Sequence, residues 1–389
     1  MSAARPPHPR PHPSGGAELL IRLGAALLLL SLPLPWLELR PNRIAAGEPL
    51  HLGAWAWAEA ALALALLLAA RRPGLAVGLG NLAVLAGVAA LGQGSAAALV
   101  GQLPVARVAA GGGWWLWLLG SAVALWGAAY AGRFRGWAWA WLPVTLGYVL
   151  LGGLSSWSVW QEGQVEAARL GQELAQHVRL TATALGLSVL IGGPLAVWSV
   201  RRPGAGQVVL AVTGGIQTLP SLALLGLLIA PLGALSQAVP ALRSLGVSGI
   251  GTAPALVALT LYALLPVVRN GVAALRGVDA GTLDAGRGMG MTAGQLFWRV
   301  QLPLALPVWL AGLRQATVLL IGVTAVAALI GAGGLGVYIF RGLNASATDL
   351  ILLGALPACL LAILADAGWR GLEGGLARRL GLPRGAGGP

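Results

Sequence analysis

The chain contains no lysine, one cysteine and few acids, with 12 Asp and Glu among 389 residues and charged residues at 10%. Each scarcity excludes a function. Without lysine there is no phosphate-cradling loop ending in Gly-Lys-Ser/Thr, so the chain carries no ATPase motif of that type. The lone Cys359, set in an apolar segment, excludes an internal disulfide and reads as a small hydrophobe. The four histidines, His8, His12, His51 and His177, are scattered. His8 and His12 have no third ligand nearby, and no His-Glu-x-x-His spacing occurs, so neither a metal site nor a cofactor is expected. No Ser or Cys stands in a recognisable nucleophile setting with His and Asp, and the chain is not expected to be an enzyme.

Hydrophobic residues make up 57% of the chain. A soluble core of that composition lacks the polar surface to stay dispersed, since globular domains carry roughly a quarter charged residues. Apolar runs recur at the length of about 20 residues that a helical crossing needs. The expected fold is therefore all-α and polytopic, with ten crossings near 18–36, 53–70, 74–91, 114–132, 137–154, 178–200, 208–231, 251–273, 304–330 and 347–367. Residues 1–16 read as a disordered tail, 17–155 as a five-helix membrane extension and 156–176 as a linker outside the cytoplasm. A second membrane domain is expected over 177–370 and a tail over 371–389.

The net charge of +13 comes from 25 basic residues, all arginine. They sit between apolar runs rather than on one soluble face, which selects membrane lipid over nucleic acid as the partner. With a cytoplasmic N-terminus, the arginine pairs Arg71-Arg72, Arg133/Arg135 and Arg201-Arg202 share the inside with Arg370, Arg378, Arg379 and Arg384. Arg40, Arg43, Arg107, Arg169, Arg243 and Arg341 are spread thinly outside. Dropping one span from the first half scrambles this pattern.

Most of the 59 glycines read as close-packing residues. Trp114, Trp115, Trp137, Trp139 and Trp141 read as an interfacial belt. Glu59 and Asp366 lie close to span ends and Arg269 near an inner end, so no mid-span ion path is evident. The chain reads as a passive conduit driven from elsewhere.

The longest inside loop, 274–303, is amphipathic. Leu283, Met291, Leu296, Phe297 and Val300 alternate with Asp279, Asp284, Arg287 and Arg299, as a helix docking into a partner groove requires. Gly288 and Gly290 permit a sharp turn between two helical pieces. Leu302-Pro303 is expected to end the second piece and start the next span.

Asp284-Ala285-Gly286, then Gly290, then Val300-Gln301-Leu302-Pro303 resembles the cytoplasmic coupling loop of binding-protein-dependent ABC importer permeases. Asp replaces that family's Glu, and Gly its second Ala. Gln217 to Leu225, Gly251 to Ala255, Leu261 to Asn270, Gly288 to Thr292 and Ala332 to Gly336 resemble the glycine betaine/choline/proline-betaine permeases. The likeness runs over about 177–367, and the N-terminal extension is similar to the YehY-type branch.

The resemblance implies a permease subunit of an osmoprotectant importer in the bacterial inner membrane, with an ABC ATPase pair, a second permease copy or paralogue and an extracytoplasmic binding protein. It implies a coupling site at Asp284, Ala285, Gly286, Gly288, Gly290, Leu302 and Pro303. Pro220, Pro231, Pro254 and Pro266 are each readable as plain kinks and together as breaks along a path. The candidate path residues are Pro220, Tyr262, Pro266 and Tyr338. Trp157, Trp160, Tyr262 and Tyr338 could form a cage for a quaternary ammonium, although Trp157 and Trp160 also suit an interfacial anchor. A secondary transporter and a non-transporting sensor built on such a core are the alternatives.

Overall fold

The computed structural model describes residues 14–42, 45–130, 135–244 and 246–381. The expectations placed on residues 1–13, Arg43, Arg133 and Arg384 lie outside the described residues. The chain divides into two units, 1–165 with 346–349 and 166–345 with 350–389.

The first unit contains α1 (Ser14–Ser31), β1 (Leu37–Arg40), β2 (Glu48–Leu50), α2 (Trp55–Leu68), α3 (Pro73–Ala98), β3 (Arg107–Ala110), α4 (Gly112–Tyr130), α5 (Trp141–Leu150) and α6 (Ser158–Val165). Pro73 opens α3, where its missing N–H is no loss. Helices α1 and α4 touch through backbone, because a Cβ on Gly24 would stand 2.6 Å from Gly120 O. That approach supplies the dispersion contact that lipid-facing helices rely on. Helix α4 is tied to α3 by two indoles, Trp117 Nε1 donating to Ala83 O at 2.7 Å and Trp114 Nε1 to Gly87 O at 2.8 Å. Trp114 is thus a buried packing residue and not a member of the interfacial belt, whereas Trp137 and Trp139 are exposed.

Two further features depart from expectation. A small antiparallel sheet in the order β2-β1-β3 joins loops distant in sequence, with Leu37 opposite both Leu50 and Ala110. It is a minor addition to an otherwise helical fold. The expected span 137–154 holds only the ten-residue α5, preceded by a 3-10 turn over Arg135–Trp139. Ten residues of helix reach about 15 Å, half of the roughly 30 Å hydrocarbon core. Asn81 of α3 pins this turn, donating from Nδ2 to Trp137 O at 3.0 Å and accepting the Trp141 N–H at 2.8 Å.

The second unit contains α7 (Ala167–Arg201), α8 (Pro203–Thr218), α9 (Ser221–Ala238), α10 (Pro240–Ser244), α11 (Thr252–Arg276), α12 (Ala280–Gly288), α13 (Ala293–Leu296), α14 (Leu302–Val326), α15 (Gly336–Asn344) and α16 (Thr348–Arg379). The stretch 156–176, expected as a linker, is helical in α6 and in the start of α7. Small and branched residues of α7, α11 and α14 form the core, with Ala184, Ala263, Val267, Ala316 and Leu320 fully buried. Thr181 and Thr324 hydroxyls meet at 3.2 Å, and Ser188 Oγ donates to Thr260 O at 3.0 Å. Such bonds satisfy polar groups for which hydrocarbon offers no partner.

Among the described residues, six helices are long and apolar enough to cross a membrane, in Pro73–Ala98, Ala167–Arg201, Ser221–Ala238, Thr252–Arg276, Ala293–Ile330 and Thr348–Arg379. This is fewer than the ten crossings expected. The expected span 208–231 is split between α8 and α9, because Pro220 confines Leu219 to extended backbone with ψ 133°.

Candidate functional site

Helix α12 begins where Asp279 accepts the Thr282 N–H at 2.8 Å, satisfying one of the orphan donors of the first turn. Asp279→Ala is expected to speed hydrogen exchange at the α12 amides about fivefold, the equivalent of losing one such cap. Unchanged exchange would show that α12 is held by packing instead. Asp284 and Arg287 form an exposed ion pair at 2.5 Å on the outer face of the helix. Gly286 faces inward, where a Cβ would come 2.6 Å from Leu296 Cδ1. The side chains of Ala285 and Met289 are exposed, and Gly288 closes the helix with open space beside it.

The chain then turns at Gly290, whose φ of +80° is a left-handed conformation natural to glycine. Thr292 opens α13 with a reciprocal cap, its hydroxyl accepting the Gln295 N–H at 3.3 Å and its own N–H reaching Gln295 Oε1 at 3.0 Å. Two helical pieces around a glycine turn are thus present. Leu302-Pro303 does not end the second piece. A π-helical turn over Phe297–Gln301 carries the chain into α14, with Pro303 in the first turn of α14. The wider π turn absorbs the donor that proline lacks. Gln301 Nε2 donates to Leu275 O at 3.1 Å, and the Arg201 guanidinium lies 5.6 Å from the Phe297 ring centroid, so α13 and its π turn are anchored to α11 and α7. What remains outward is the exposed face of α12 together with Trp298, which is 66% exposed.

Of the path candidates, the structure brings Pro220 and Tyr262 close together. The Tyr262 hydroxyl donates to Leu219 O, next to Pro220. Pro266 sits one turn further along α11, inside the helix. Lacking an N–H, it frees the carbonyl four residues back, which is that of Tyr262. Gln217 Nε2 donates to that carbonyl at 3.2 Å, so α8 completes the bond that α11 cannot make. Pro254 lies in the first turn of α11 and Pro231 inside α9, and neither ends a helix.

Tyr338 makes its contacts elsewhere. Its hydroxyl donates to Glu166 Oε2 at 3.3 Å, and Arg341 lies 5.9 Å from its ring. Burial, then the Glu166 carboxylate, pushes its phenol up to about 12. Trp157 lies in the first unit, 6.2 Å from Trp114. Tyr262 and Tyr338 are buried, so neither of them offers an open aromatic face.

Sequence reasoning missed a polar clasp at the start of α7. Glu173 Oε2 accepts the Gly334 N–H at 2.7 Å and Gln176 Nε2 donates to Ala332 O at 2.8 Å. His177 Nε2 lies 3.0 Å from Ile321 O. The signal was the polar spacing Glu173, Gln176, His177 ahead of an apolar run, read as linker. Also unforeseen is the burial of Glu59 in α2, 1% exposed and without a hydrogen-bond partner for either oxygen.

The membrane-length helices define a multi-pass membrane protein, and comparison with known proteins gives its family. Residues 188–378 match the binding-protein-dependent transport system inner membrane component, and residues 17–162 match the N-terminal domain of ABC transporter permease YehY. The osmoprotectant import permease protein OsmW of Salmonella typhimurium is 45% identical over 191 residues, covering 49% of this chain and 84% of the relative. The choline transport system permease protein OpuBB of Bacillus subtilis is 40% identical, over 52% of this chain and 86% of its own length. The carnitine transport permease protein OpuCB of Listeria monocytogenes is 39% identical, over 49% and 80%. The chain belongs to the osmoprotectant branch of the ABC importer permeases, with a YehY-like N-terminal extension.

Proposed function

We propose that the chain is the transmembrane permease subunit of an ATP-driven importer for osmoprotectants such as glycine betaine or choline. A pair of ABC ATPase subunits, a second permease copy or paralogue and an extracytoplasmic binding protein complete the assembly, and both termini of this chain are cytoplasmic. The segment from Asp279 to Gln301 docks in a cleft of the ATPase. Closure of the ATPase dimer pulls on α12, and the anchored α13 and π turn carry the movement into α11 and α14, a rigid-body transition of packed helices. The coupling residues are Asp284, Ala285, Gly286, Gly288 and Gly290, with Leu302 and Pro303 at the root of α14. Pro220, Tyr262 and Pro266 stand where helices α8, α9 and α11 depart from regularity, and together with Tyr338 they remain the proposed path.

The observation that supports this reading most is the construction of α12. Its inner face is fixed by Gly286 on Leu296, and its outer face presents the exposed Asp284–Arg287 pair. Co-purification of the candidate ATPase with the full chain tests it. Asp284→Arg, at an exposed position, is expected to lower recovery of the ATPase severalfold while the permease yield holds. Equal recovery by that variant would move the contact away from α12.

A further inference from the structure

The first unit carries a half-open groove of about 970 Å³ between α3, α4 and the segment from Arg135 to Trp157. Helix α5 flanks it and buries none of its own residues although most of them are apolar. The groove runs beside α4 from Trp114 to Tyr130, a rise of about 24 Å. Its walls are mainly tryptophan, leucine, valine and alanine. Arg135 lines it beside Tyr130 and Trp139, and no carboxylate is among the described lining residues. The Thr145 hydroxyl, also in the lining, is buried with no hydrogen-bond partner among the described residues.

An occupant of this space needs a long apolar body, an anionic group for Arg135 and an acceptor for Thr145. A small zwitterionic osmolyte leaves most of the volume unfilled, and no acid here balances its ammonium. We propose that the groove holds one anionic glycerophospholipid, with its phosphate on Arg135 and its acyl chains along α3 and α4. An ester carbonyl of such a lipid accepts from Thr145. The guanidinium matches a phosphodiester in charge and hydrogen-bond geometry, and the tryptophan walls supply dispersion contacts for the chains.

Native mass spectrometry of the full chain, titrated with phosphatidylglycerol and separately with phosphatidylethanolamine, tests this. One phosphatidylglycerol is expected to remain bound per chain. Arg135→Gln is expected to weaken phosphatidylglycerol binding about fivefold, the effect of one arginine at an anionic headgroup, and to weaken phosphatidylethanolamine less, because its ammonium offsets the charge of its phosphodiester. Ala122→Trp, which grows a side chain into the groove from the exposed face of α4, is expected to weaken both. The proposal is overturned if Arg135→Gln retains phosphatidylglycerol as the unsubstituted chain does, if Ala122→Trp retains both lipids, or if glycine betaine displaces the lipid.

Discussion

Gly290→Val is expected to cut ATP-driven uptake by at least tenfold while leaving the permease in the membrane. The backbone at this residue has φ +80°, and a β-branched side chain there is strained by about 1–3 kcal/mol. Nothing lies within 4 Å of a Cβ built at Gly290, so crowding does not contribute and the strain is purely local. Relief comes from re-forming the turn, which re-aims α12 relative to α13. A coupling element works only if its outer face meets the partner in register, so a local change of angle is expected to cut uptake by at least tenfold. Gly294→Ala, at a glycine outside the coupling set, is the control. It has open space and no left-handed backbone, so uptake is expected to stay within about twofold. Equal damage from both substitutions, measured as uptake per correctly inserted chain, would show that loop flexibility rather than the Gly290 turn matters.

Arg314→Ala is expected to have the largest effect on stability. Arg314 of α14 donates from Nη1 to Asp366 Oδ1 at 3.0 Å and from Nε to Glu373 Oε1 at 2.9 Å. Arg370 pairs with the same Asp366 at 2.6 Å, so two arginines balance two acids between α14 and α16. The four side chains are unequally covered, with Arg314 at 25% and Glu373 at 18% exposed. Removing Arg314 leaves two carboxylates on one cation. The loss falls between the surface and buried limits for broken ion pairs, at about 2 kcal/mol. The double variant Arg314→Ala/Glu373→Ala keeps the Asp366–Arg370 pair neutral and is expected to recover about half of the loss. Thermal unfolding of Arg314→Ala, Glu373→Ala and the double variant in detergent reads this directly, and additive losses would show that the four charges do not act as a unit.

These elements differ in how far their sequence announced them. The turn at Gly290 was legible because its signals are local: Asp279 and Thr292 are cap residues, and Gly288 and Gly290 stand between them. Pro220 was legible as a break, but the continuous apolar run hid that it separates two helices, α8 and α9, since hydropathy averages over a residue whose effect is steric. The burial of Trp114 was hidden for a different reason. An indole near a helix end suits an interface equally well, and only the approach of α3, with the Gly87 carbonyl as acceptor, decides otherwise. The pairing of β1 with β3 joins Leu37 to Ala110, a contact no local pattern encodes. The acceptor role of the Tyr262 carbonyl was implicit in Pro266, but its donor, Gln217, became evident only with α8 packed on α11.

The central claim is that this chain conducts an osmoprotectant when a partner ATPase drives it. The most direct measurement is uptake of labelled glycine betaine by liposomes holding the full chain with its candidate ATPase, partner permease and binding protein. Accumulation is expected to require ATP inside the ATPase-facing compartment and to be lost with Gly290→Val. Accumulation that proceeds without ATP, driven by a proton or sodium gradient alone, would contradict it.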